Sequence, residues 1–191
     1  MHVVAFNGSA RADANTAILL RTVLAELEHA GISTELMQLA GAPIRGCTAC
    51  YQCFKHRNQR CIITHDCVNM CIEKMLAADG ILLGSPTYFA DLTAEMKALI
   101  DRAGMTAKAN DNMLRRKVGA AVVSVRRAGA LHVFDSINHF FTIGEMIIVG
   151  SSYWNVGIGR EPGDVARDDE GMATMRDLGR NMAWLLKKLH A

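Results

Sequence analysis

The chain has 191 residues, half of them hydrophobic and 21% charged, a balance that excludes a disordered or fibrous protein and predicts one globular domain. Lys plus Arg number 21 against 19 Asp plus Glu; the formal charge of +2 is too small for a phosphate-backbone footprint, so nucleic acid is excluded as a partner. The opening MHVVAFNGSAR soon turns polar and no apolar run nears the roughly 20 residues of a membrane helix, so no signal peptide, no membrane partner and a cytoplasmic location are expected.

His2 to Phe6 is a short β-branched and apolar run that ends at Asn7-Gly8-Ser9. From Asn15 to Ala30 the apolar residues Ile18, Leu19, Val23, Leu24 and Leu27 recur at helical spacing, and Gly31 suits the stop. Ser33 to Leu39 alternates as a second strand. Ala40 to His65 is a Gly-, Cys- and base-rich stretch without periodicity, too long for an idle connection and therefore expected to carry chemistry or a cofactor. Asp66 can cap a helix whose Val68, Cys71, Ile72, Met75 and Leu76 share one face, closed by Gly80. Ile81 to Gly84 reads as a buried strand, Thr93 to Ala103 as a helix, and Val118 to Val125 as a further strand. A helix over Ala130 to Ile143, a strand over Met146 to Val149 and a terminal helix over Gly171 to His190 complete the alternation. Five apolar strands separated by helices predict an α/β fold with an open parallel sheet covered on both faces.

In such a sheet, ligands bind where loops leave the carboxyl ends of the strands. In the first of these loops Gly8 permits a tight turn, Ser9, Asn15 and Thr16 offer short donors, Arg11 offers a cation, and the following helix presents its N-terminal amides. This suits one phosphate monoester; a Walker lysine and the GxGxxG fingerprint are absent, so a mononucleotide is expected. The alternative is a polar, side-chain-capped helix start. The loop Pro86-Thr87-Tyr88-Phe89 puts aromatic surface where a flat ring could lie, or else folds it under itself. After the fourth strand, Ser124 and Arg126 could meet the polar edge of that ring, with solvated arginines as the alternative. Gly157 to Gly163 has the wrong spacing for a phosphate loop and a proline where a helix should open; it reads as a plain loop.

Asn7-Gly8-Ser9-Ala10-Arg11, Asn15-Thr16, Gly84-Ser85-Pro86-Thr87-Tyr88-Phe89 and Met96-Lys97-Ala98-Leu99-Ile100-Asp101-Arg102, in this order, resemble the flavodoxin-like NADPH-dependent FMN reductase family over nearly the whole chain. The resemblance implies a five-stranded doubly wound domain over 1–191 with a cysteine-rich insertion at about 40–65, and one FMN whose phosphate lies on Ser9, Arg11, Asn15 and Thr16. Its ring system would rest on Pro86, Thr87, Tyr88 and Phe89, with help from Ser124 and Arg126. It further implies a homodimer or homotetramer that moves electrons from NADPH or NADH to a quinone, flavin, metal or electron-carrier protein. No acid or base residue is assigned, because hydride transfer requires none. A non-enzymatic flavodoxin-like carrier or thiol redox sensor is the alternative.

Five of the six cysteines fall between Cys47 and Cys67, and Cys71 follows four residues later. Without a secretory signal they are expected as thiols or metal ligands rather than disulfides. Cys47, Cys50 and Cys53, three apart, with Cys61 further on, satisfy the four-cysteine requirement of a [4Fe-4S] cluster; zinc would accept the same set, and free thiols remain open. The nearby Arg45, Lys55, His56, Arg57 and Arg60 favour thiolates. The pattern resembles the iron-sulfur flavoprotein branch of the same superfamily. Cys71 reads as a small core hydrophobe, while Cys67 could replace Cys61 as fourth ligand.

Overall fold

A computed structural model describes residues 1–41 and 43–191; residue 42, inside the cysteine-rich stretch, lies outside the described residues. Five strands lie side by side in the order β2-β1-β3-β4-β5, all parallel: β1 (His2–Asn7), β2 (Ser33–Gln38), β3 (Gly80–Pro86), β4 (Val118–Val125) and β5 (Ile147–Ile148). A sixth, β6 (Val156–Ile158), also pairs with β4. The sequence there predicts a plain loop, and the structure corrects this to a short strand. The edge beyond β4 is thus split: β5 pairs with Val118 and Gly119 at the start of β4, and β6 with Val123 to Val125 at its end. Gly157 is required there because a Cβ would come within 2.6 Å of Leu19 and Val165 side-chain atoms.

Period-two alternation sends each strand's residues to opposite layers. Val3 and Ala5 of β1 pack with α1 (Asn15–His29) and α6 (Asp169–Leu189) through Leu19, Leu20, Val23, Met175, Leu178 and Met182. Val4 and Phe6 face the opposite layer of α3 (Val68–Ala77), α4 (Ala94–Ala109) and α5 (Ala130–Ile143). All eight residues of β4 are buried, as a central parallel strand requires. Thr93 caps α4 by accepting from the Met96 amide, and α4 runs two turns beyond the expected end at Ala103. The cysteine-rich stretch is not wholly irregular: it contains a short helix, α2 (Gln52–His56). Cys71 is buried in the α3 layer, and burial pushes its thiol well above the ordinary range, so it stays protonated. Among the described residues no helix is long and apolar enough to cross a membrane.

Candidate functional site

The crossover loops are laced together at the carboxyl ends of the strands. The Gly8 amide donates to the Gly84 carbonyl at 2.7 Å, and the Thr93 hydroxyl donates to the Gly8 carbonyl at 2.8 Å. Gly8 does not need a left-handed φ; the approach itself excludes a side chain, since a Cβ would lie 3.0 Å from the Gly84 oxygen. The Thr87 amide donates to the Ser124 carbonyl at 2.9 Å, and the buried hydroxyls of Thr16 and Ser124 share a 2.8 Å hydrogen bond across the sheet rim. Loop 159–165 closes the fourth side: the Gly159 amide donates to the Val125 carbonyl at 2.9 Å.

These four loops enclose a cavity of about 240 Å³. Of the ten residues expected to hold a flavin, Ser9, Arg11, Asn15, Thr16, Pro86, Thr87, Tyr88, Ser124 and Arg126 all line it. Phe89 does not. The residue is fully exposed, at a left-handed φ of 47° that Ala90 shares at 67°, so Tyr88 lines the cavity and Phe89 lies outside it. Asn15 lines the cavity, but its side chain is largely committed elsewhere: Nδ2 donates to the Glu161 carbonyl at 3.1 Å, and Oδ1 accepts from the Gly163 and Val165 amides at 2.9 and 3.3 Å. It anchors the closing loop more than it offers a donor to a ligand.

The helix that opens on this cavity has no side-chain cap. Ala14 occupies the N-cap of α1, and no acidic residue lies in the first turn. Its first amides have no intrahelical partners, and this helix start lines the same cavity as exposed Arg11, an arrangement that favours an anion. The capped-start alternative is thereby removed. Ala14, Val125, Gly159 and Arg160 also line the cavity and had no expected role. The signal for Arg160 was a cation in a glycine-rich loop late in the chain, which only the pairing of β6 brings to this rim.

The cysteine loop is positioned differently. Cys47, Cys50, Cys53 and Cys61 all line one small cavity with Ile62, Ile63 and Met105, while Cys67 lies outside it beside Cys71. Only about 20 Å³ is open between these side chains, room for about one water, so a larger occupant requires the thiol rotamers to turn. Among the described residues, no three His, Cys, Asp or Glu side chains are gathered tightly enough to hold a single metal ion. Burial raises the Cys53 thiol, and the neighbouring Cys61 and Cys47 add to that. Exposed Cys50 is lowered, first by the Gln52 amide and then by the Thr48 hydroxyl. Ala49, Tyr51, Arg57 and Gln59 all adopt left-handed φ between 47° and 62° without being glycine, a run of unfavourable conformations that persists only where surroundings impose it.

Within this run the Gln59 amide donates to Asn110 at 3.1 Å and Arg57 pairs with Asp111 at 2.6 Å, while the two ends of the loop are held by two buried polar residues for which the sequence suggests no such role. Asn69 of α3 accepts from the Cys61 amide at 2.8 Å and donates to the Cys61 and Ile63 carbonyls, each at 2.9 Å. Arg102 of α4 forms an ion pair with Asp66, their side chains 0% and 1% exposed. Its Nε donates to the Cys61 sulfur at 3.3 Å, Nη1 to the Arg45 carbonyl at 3.1 Å as well as to Asp66, and Nη2 to the Ile63 carbonyl at 2.9 Å. Burial is the largest single influence and opposes both charges, but their mutual hydrogen bond, the further hydrogen bonds and the charge attraction together outweigh it: Asp66 is held below the usual carboxylate range and Arg102 above its ordinary value. Asp66 does accept from the Val68 amide at 3.2 Å, as a helix-capping residue would, yet its main partner is Arg102. The signal for Arg102 was its place three residues after the inward-facing Leu99, on the buried stripe of α4.

Residues 1–161 match the NADPH-dependent FMN reductase family. The chain belongs to that family. Membership makes it an FMN-dependent oxidoreductase with a flavodoxin-like fold. Along the whole reductase, similarity runs to iron-sulfur flavoproteins: one from Methanocaldococcus jannaschii is 37% identical, covering 98% of each chain, and one from Methanosarcina thermophila is 30% identical, covering 98% of this chain and 96% of that one. Among solved structures, the NAD(P)H:quinone oxidoreductase from Methanothermobacter marburgensis superposes with a TM-score of 0.66 at 15% identity, covering 95% of this chain and 98% of that one.

Proposed function

We propose that this FMN reductase family member oxidises NADPH or NADH and reduces a quinone, flavin, metal or electron-carrier protein. The carrying observation is the single cavity at the ends of β1, β3 and β4, polar and cationic at one end and flanked by Pro86 and Tyr88 at the other. The residues fit FMN. The uncapped first turn of α1, with Ser9, Arg11 and Thr16, would hold the phosphate; Pro86, Thr87 and Tyr88 would support the ring system, with Ser124 and Arg126 at its polar edge. When bound, FMN supplies the hydride-accepting and electron-donating chemistry that no side chain provides. The protein's own part is to bind, orient and shield, and the hydrogen bonds from Gly8 to Gly84, Thr87 to Ser124 and Gly159 to Val125 tie the rim of the cavity together.

Cys47, Cys50, Cys53 and Cys61 would hold a [4Fe-4S] cluster. The donor set fits this chemistry, with four thiols around one cavity, a cationic hydrogen-bond donor on one of them and a basic surrounding. The names of the relatives in Methanocaldococcus and Methanosarcina point the same way. Two identical subunits or four, in the cytoplasm, complete the reading. Anaerobically purified protein is expected to contain one FMN per chain, to show flavin bands with a broad iron-sulfur shoulder, and to oxidise NADPH or NADH when an acceptor is supplied. Colourless protein without FMN would overturn the reading. Flavin without iron would overturn its cluster part alone.

A further inference from the structure

Among the described residues Arg102 is the largest fully buried side chain, and its guanidinium bonds away from its own helix. Every hydrogen bond of its guanidinium goes to the segment between Arg45 and Asp66, that is, to residues before the first cysteine and at or after the last one lining the small cavity. One rigid planar fork therefore joins the two ends of the cysteine loop and touches the sulfur of one thiol. A lysine could not replace it, because three donors on one atom cannot span acceptors spread over this distance. Cys61 is the most constrained of the four: Asn69 holds its amide and carbonyl while Arg102 holds its sulfur. Asp66 balances the cation, so the loop closes around a neutral pair rather than a buried net charge.

We propose that Arg102 is the positioning residue of the cysteine loop. It organises residues 45–63 before any metal arrives, and its Nε–H tunes whatever centre Cys61 helps to hold. The first half stands on the hydrogen bonds alone; the second rests on the cluster reading above. A cationic donor on a ligand sulfur stabilises added negative charge, so it favours the reduced form of the centre.

The test uses the full chain with FMN bound, as wild type, as R102K, and as the paired variant R102Q with D66N, which leaves no unmatched charge in the core. In metal-free protein, amide exchange over residues 45–63 should quicken about tenfold in both variants while β1, β3 and β4 keep wild-type protection. After reconstitution with iron and sulfide, chelator-driven iron loss should rise roughly 10- to 100-fold. At the wild-type midpoint the ratio of reduced to oxidised cluster should fall about tenfold, about 59 mV for a one-electron couple. R102K, which keeps the charge but not the fork, should rescue none of these. Wild-type exchange rates in both variants would overturn the proposal, as would faster exchange with unchanged iron loss and potential, the mark of a merely structural ion pair. Wild-type protein that takes up no iron would sink the cluster reading, leaving exchange to decide the positioning role.

Discussion

The strand-end cavity and the cysteine loop are built in opposite ways. Around the cavity, functional groups sit within a few residues of strand ends, and their placement follows from the sheet: once β1, β3 and β4 are in register, Asn7 lies beside Gly84 and Pro86 beside Ser124, and the loops between them have little freedom. The cysteine loop leaves the sheet altogether. It has one short helix, four non-glycine residues in left-handed conformations, and two buried polar side chains from α3 and α4 that gather it from outside. A site on strand ends inherits the precision of the sheet, whereas a site on a loop depends on individual contacts; losing one contact should therefore be graded in the first region and severe in the second.

The sharpest break is Cys47→Ser with Cys50→Ser. Iron content should fall to background while FMN content, measured by its absorbance after release, stays at wild type; loss of both would deny that the two regions are separate sites. Next, Arg102→Leu strands Asp66 without its partner in the core, and chemical denaturation should show a loss of about 3–5 kcal/mol. On the cavity side, Asn15→Ala removes the side chain that ties α1 to loop 161–165 and should cost about 1–3 kcal/mol, with faster proteolysis of that loop. Arg11→Ala should weaken FMN binding about tenfold by fluorescence titration with unchanged stability. The smallest effect is on pH dependence. Asp66 has a folded pKa below its unfolded value, so its contribution is present above about pH 4 and is lost as pH falls through the folded value. Asp66→Asn should flatten the acid limb of stability below about pH 4, measured by denaturation midpoints.

The β1, β3 and β4 strands were legible because a strand buried on both faces is written as a run of consecutive apolar residues, and nine of the ten candidate residues line one cavity because they sit at the ends of those strands or in the loops and helix start that follow. Phe89 lies outside the cavity lining at a left-handed turn over 89 and 90, and neither residue is the glycine that signals such a turn. β6 was missed because three residues carry too little period to read; only the vacancy beside the far end of β4 makes them a strand.

Local pattern alone determined the order of strands and helices, the layers they bury, the loops that face one rim, and the clustering of thiols, since each rests on spacings of a few residues along the chain. Tertiary structure alone decided that Cys61 rather than Cys67 shares the small cavity, that Asn15 serves the closing loop, and that Arg102 reaches back some forty residues to hold the cysteines. Those outcomes depend on which polar groups meet in the interior, where an unpaired donor or charge costs too much to leave, and sequence spacing carries no record of such meetings.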